Sequence, residues 1–227
     1  MIQAASKRLN LNSPTSAISS SDENTIQLVA LAQEEGKSLA RRHPWQILTT
    51  EKTFTSTAAA AQVGAIPTDF DRFVDESFYN RTQKRPVHGP ISPQDWQLIQ
   101  ATVSTAAFES FRVRGDSILI TPTPNGTDTY AYEYISKNWC ESAGGTDQSS
   151  WALDTDTGIL DEELMTQGIE WRFLKAKGFD YAEAFRTYEI SVADKFTKDG
   201  GRARLSFGRR GPASLHRPYI AEGSWPL

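Results

Sequence analysis

A single cysteine, Cys140, excludes an internal disulfide, and the three histidines, His43, His88 and His216, stand too far apart to suggest a metal site. Neither disulfide staples nor structural zinc are expected, and no cofactor is. Apolar runs are only a few residues long, far short of the roughly 20 that cross a bilayer. The N-terminus also lacks the charged head and apolar core of a secretory signal. A soluble chain that is not exported by that route and does not meet a membrane is expected. No Gly-x-Ser-x-Gly elbow and no glycine-rich phosphate loop closed by Lys-Ser/Thr is present, and no histidine stands in a context that suggests activation. The expectation is therefore not an enzyme, with no catalytic and no metal-binding residues.

What is present is an ordinary globular composition, 38% hydrophobic and 23% charged over 227 residues. That length makes one large domain or two small ones. The charge is unevenly placed. Residues 199–227 carry Arg202, Arg204, Arg209, Arg210 and Arg217 against Asp199 and Glu222, a net +3 that leaves −7 on residues 1–198. An acidic body with a basic end suggests an arm that docks on something acidic.

Along the chain, a short N-terminal segment leads into the Ser- and Asn-rich "LNLNSPTSAISSSDEN", which reads as a loop. Ser20 stands three residues before Glu23, the capping-box spacing, and predicts a helix over 23–42 that Pro44 stops. From Trp45 to about residue 140 the texture is β-branched and aromatic, broken by Pro, Gly and Asn. Ile118 and Ile120 before the Pro124-Asn125-Gly126 turn, with Tyr130, Tyr132 and Tyr134 after it, predict a hairpin. Ser92, Pro93 and Asp95 predict one short interrupting helix, with Ser92 as cap.

Helical period returns at 157–177 and 180–197. In the first of these helices Leu160, Leu164, Trp171 and Leu174 make one stripe, while Met165, Ile169 and Phe173 lie on roughly the opposite side. A helix apolar on two sides needs two covers, the second supplied either by the β-rich domain or by another copy of the chain. Tyr181, Phe185, Tyr188, Val192 and Phe196 form a single stripe on the second helix. The fold class expected is α+β: a helical bundle (1–44 and 150–198) carrying a β-rich insertion (45–149), followed by an extended arm (199–227).

Several motifs have plainer readings. Asp154 and Asp156 match the first two carboxylates of a calcium loop, but its twelfth position would be Met165, so a helix cap at Asp156 or Thr157 explains them better. Arg114-Gly115-Asp116 resembles an adhesion motif and reads as a turn. Cys140 reads as a buried thiol. Tyr130, Tyr132 and Tyr134 could stack sugars or bases, although alternating aromatics on a strand more often pack a core.

The order of "TIQLVALAQEEGKSLARRHPWQIL", "IPTDFDRFVDESFYNRTQKRPVHGPISPQDW", "RVRGDSILITPTP", "YAYEYISKNWC" and "LDEELMTQGIEWRFLKAKGFDYAEAF" resembles the head-to-tail adaptor (connector) proteins of tailed bacteriophages across roughly residues 24–198. The resemblance implies a structural virion protein, made in the host cytoplasm and placed in the neck at the portal vertex. Copies of the chain would form a ring, expected as a dodecamer, beneath the portal protein. The ring would extend the DNA channel and receive a tail or nozzle protein. Genomic DNA would pass without sequence-specific binding, past walls that an acidic body would keep from sticking. By the same resemblance, Arg202, Arg204, Phe207, Arg209, Arg210, Tyr219 and Trp225 of the arm would bind the portal. The second side of the first helix, Met165, Ile169 and Phe173, would meet a neighbouring subunit. A tail-completion or stopper protein is the nearest alternative, and a carbohydrate-binding or hydrolytic β module of a phage particle is one of a different class.

Overall fold

The computed structural model describes residues 1–101 and 108–200. The fold is mixed, with helices at both ends of the described chain and antiparallel sheets between them. The N-terminal segment is a helix, α1 (Ile2–Arg8), which sequence reading left without structure. The following Ser-rich loop is pinned from far along the chain: the Asp154 carboxylate accepts from the backbone N–H groups of Ala17 (2.9 Å) and Ile18 (2.8 Å) and from the Ser16 hydroxyl. Then comes α2 (Glu23–Arg42), with the bounds expected but a different cap. Asp22, not Ser20, accepts from the Thr25 N–H at 2.9 Å, and Ser20 is used one step earlier, on the Asp22 N–H. A carboxylate at the positive end of the helix dipole makes the stronger cap. His43 is extended, as a residue before proline must be.

The sheets comprise β1 (Thr49–Thr55), β2 (Ala61–Val63), β3 (Phe70–Phe73), β4 (Tyr79–Asn80), β5 (Arg85–Pro86), β6 (Ser110–Arg114), β7 (Ser117–Thr121), β8 (Thr129–Ser136), β9 (Cys140–Glu141), β10 (Asp147–Gln148) and β11 (Thr157–Gly158). Strand β8 is the hub, pairing with β1 from Thr55↔Thr129 to Thr49↔Ile135 and also with β3 and β4. The order β2-β7-β6 makes a second sheet and β10-β9-β11 a third. Between β5 and β6, α3 (Pro93–Ala101) starts as expected, with Ser92 Oγ accepting from the Asp95 N–H at 3.1 Å.

The expected hairpin is corrected. β7 and β8 belong to different sheets, and β7 instead turns back on β6 through Gly115-Asp116. Pro122 and Pro124 lack the N–H groups with which β7 could have carried its ladder on toward β8. Gly115 supplies the positive φ of +58° that a two-residue hairpin turn demands, so Arg114-Gly115-Asp116 is a turn, as read. Ile118 and Ile120 still meet Tyr130, Tyr132 and Tyr134, but across two sheets, in one core with Phe78, Val87 and Phe111.

The last helices are α4 (Glu162–Lys177) and α5 (Ala182–Lys198). Helix α4 starts five residues later than expected. Its cap is Asp161, which accepts from the N–H groups of Glu163 and Leu164 at 3.0 Å each. The residues read as its first turn instead form β11, paired with β9. Helix α4 packs on α2, α5 and α1. A shared core joins these helices to the sheets, for Leu39, Leu164, Met165 and Tyr188 touch a cluster that includes Trp45, Ile135, Trp139 and Cys140.

Candidate interaction surfaces

The expected subunit interface is corrected by α1. Met165 and Ile169 are 0% exposed and Phe173 is 4% exposed, so these side chains offer nothing to a neighbour. Met165 faces the shared core with Leu160 and Tyr188, and Ile169 and Phe173 pack with Ala5 of α1 and Leu28 and Ala32 of α2. The second cover for the two-sided helix lies within the chain. The arm residues Arg202, Arg204, Phe207, Arg209, Arg210, Tyr219 and Trp225 lie outside the described residues.

Between α2, α4 and α5 sits a buried ionic cluster that sequence periodicity hides. Glu35 is 0% exposed; it accepts from Arg172 Nε at 2.6 Å and from the Tyr188 hydroxyl. Arg172 also reaches Glu34 at 2.5 Å. Arg42 bonds Glu189 at 2.7 Å and donates to the Tyr188 oxygen at 3.4 Å. Burial first, then the Glu35 charge, pushes the Tyr188 phenol far above its ordinary range. Gly168 is required here, because a Cβ on it would stand 2.3 Å from Glu35 Cδ. The cluster ties three helices together, and each of its charges has a partner.

The tyrosine ladder is core, which removes the stacking reading. Tyr130, Tyr132 and Tyr134 are buried, and their hydroxyls donate to Glu109 (3.2 Å), the Ala65 carbonyl (2.7 Å) and Asp69 (3.0 Å). The Tyr130 ring lies parallel to Phe54 at 5.6 Å. Burial, with Asp69 beside it, pushes Tyr134 up to about 12. Cys140 is likewise buried; its thiol donates to the Gln148 carbonyl, and burial raises it to about 11. Neither Asp154 nor Asp156 serves as a helix cap: Asp154 pins the Ser-rich loop, and Asp156 accepts from the Ala152 and Leu153 N–H groups. Among the described residues no group of three or more His, Cys, Asp or Glu side chains could hold a metal ion, and no helix is long and apolar enough to cross a membrane.

Among the large apolar side chains at the surface, an aromatic group stands at the turn between α4 and α5. Gly178, at φ +76°, ends α4 in a left-handed cap that throws Phe179 outward, 61% exposed. Tyr181 and Phe185 are each 38% exposed and gather round Trp171, whose ring centroid is 5.0 Å from that of Phe185. Lys175 sits over the Trp171 and Tyr181 rings. The single stripe expected on α5 therefore divides: Tyr188 and Val192 are buried, Phe196 stacks on His43 at 4.5 Å, and Tyr181 and Phe185 stay at the surface. Sequence reading missed Phe179, though an apolar residue directly after a C-terminal glycine was a usable signal.

Two grooves flank β11. One, about 380 Å³, has apolar walls from Ile18, Trp151 and Leu153 and carboxylates from Asp154, Asp156 and Glu162. The other, about 410 Å³, is lined by Ile47, Leu48, Glu141 and Asp147, and Gly158 borders both. In the first, the Trp151 indole N–H and one Asp156 oxygen are shielded from solvent without a hydrogen-bond partner. No protein-family model matches the chain, and no curated protein matches it in sequence.

Proposed function

We propose that the chain is a non-enzymatic head-to-tail adaptor of a tailed bacteriophage, a helical bundle with a β-rich insertion, assembling as a ring beneath the portal protein. The observation that carries this reading is the aromatic elbow of Tyr181 and Phe185 round Trp171, with Phe179 exposed two residues before Tyr181, standing within "WRFLKAKGFDYAEAF", one of the stretches on which the resemblance rests. Contiguous exposed aromatics with a cationic rim suit a protein partner, because burying them releases about 25 cal/mol per Å², less the cost of ordering. The elbow replaces Met165, Ile169 and Phe173 as the surface that meets a neighbouring copy. The basic arm, with its arginines and aromatic anchors, docks on the portal, and a tail or nozzle protein binds below.

Native mass of the chain alone, and after mixing with portal rings from the same genome, tests the proposal. A ring's worth of copies added to the portal is the expected result. A chain that leaves the portal untouched overturns it and favours a tail-completion protein placed further down the neck. The carbohydrate-module alternative has no support in the tyrosine ladder, whose rings and hydroxyls are committed to the core.

A further inference from the structure

We infer that the two grooves beside β11 are the seat of the chain's own C-terminal segment, residues 201–227. Charge is the first reason. From residue 138 to residue 171 the chain carries eight carboxylates and no lysine or arginine, and five of those carboxylates line the grooves. The segment 201–227 is the complement, with five arginines against Glu222 alone.

Position is the second. The Lys195 ammonium bonds Asp161 at 2.5 Å, next to the groove residue Glu162. Four residues on, the Asp199 carboxylate accepts from the Gln46 N–H at 3.1 Å, next to Ile47 in the wall of the other groove. The segment thus begins at the rim of its seat, and 27 residues span up to about 90 Å when extended. A tether this short makes docking within one molecule far more favourable than docking between molecules.

Chemistry is the third. The grooves join apolar walls to carboxylates, and the segment alternates arginines with Phe207, Tyr219 and Trp225, so anchors and charges have complementary places. The seat stands independently of the adaptor reading. Only its consequence rests on that reading: the arm would be held on its own subunit until the portal competes for it.

The test uses the full-length chain carrying a photo-activated phenylalanine analogue at position 207 or 225, irradiated in dilute solution and mapped by mass spectrometry. Cross-links to residues 47–50 or 141–162 of the same molecule are expected, with a yield independent of protein concentration. Arg209→Glu with Arg210→Glu should lower that yield about tenfold, as loss of two ion pairs to like-charge contacts would. The cores of the described residues contain neither arginine, so circular dichroism should be unchanged. Cross-links to any other face, cross-links between molecules that grow with concentration, an absence of cross-links, or indifference to the arginine changes would each overturn the seat. Portal binding, measured separately, fails or succeeds on its own account, so the two proposals fail distinguishably.

Discussion

The helical layer and the sheets solve the same problem, polar groups inside a core, in opposite ways. Between the helices one charge, Glu35, is buried outright, and Arg172 and Tyr188 converge on it. In the sheets three phenols pack their rings together while each hydroxyl reaches a separate acceptor, and the buried Asp128 carboxylate accepts from the side-chain amides of Asn80 and Gln83. The first device concentrates specificity in a few atoms, and the second spreads it over many. Damage should therefore be abrupt in the helices and gradual in the sheets.

Removing Arg172 should break the comparison most sharply. Arg172→Met strands the Glu35 charge and should cost about 3–5 kcal/mol, read by urea unfolding with an unchanged slope. Next comes Gly168→Ala, where the added Cβ meets Glu35 side-chain atoms that have no room to retreat; about 1–3 kcal/mol is expected in the same assay. In the sheets Tyr132→Phe removes one buried hydrogen bond, to the Ala65 carbonyl, and should cost about 1–2 kcal/mol. A Tyr132→Phe cost equal to that of Arg172→Met would erase the distinction.

Acid should loosen the helical layer at Asp161, and alkali should loosen the sheets at Tyr134 and the helices at Tyr188. Burial raises the Asp161 carboxyl, but the Lys195 ammonium and the α4 N–H groups outweigh it and leave it below the usual carboxylate range. A depressed carboxylate stabilises the fold above its unfolded value, about 4, and that contribution is lost as pH falls through the folded value. Asp161→Asn keeps a cap and should flatten the acid limb of stability, by about 1 kcal/mol or less for so open a pair. Tyr134, raised to about 12, contributes stability fully present below about 10 and lost as pH rises through 12. Tyr134→Phe should move the alkaline unfolding midpoint upward in a pH titration followed by circular dichroism. Smallest of all in stability should be Phe179→Ser, within about 0.5 kcal/mol, while ring assembly on the portal is lost.

Much of the fold was legible because helix periods and proline stops are local signals: α2 keeps its expected bounds, and the cap of α3 lies at Ser92. Strand partners were not local. Ile120 lies only ten residues before Tyr130, yet the prolines between them send the two strands to different sheets. Helix α1 escaped because seven residues with two alanines carry little period, and without α1 the cover of the Met165, Ile169 and Phe173 side was sought in the β-rich domain or in another copy of the chain. The ionic cluster was illegible for a related reason, since nothing in "AQEEGKS" tells the buried Glu35 from the exposed Glu34. Their difference is made by Tyr188, whose hydroxyl donates to Glu35 and which arrives 153 residues later, whereas Arg172, 137 residues after Glu35, holds both carboxylates.

That interval has a consequence for how the protein is made. A ribosome adding about 5–20 residues each second completes α2 on the order of ten seconds before Arg172 exists. During that time Glu35 cannot be buried, so the nascent helix must keep this side in water while the sheets form behind it. Closure of the helical layer therefore waits until α4 and α5 have been made, and a chain cut short before α4 is left with an unsheltered surface.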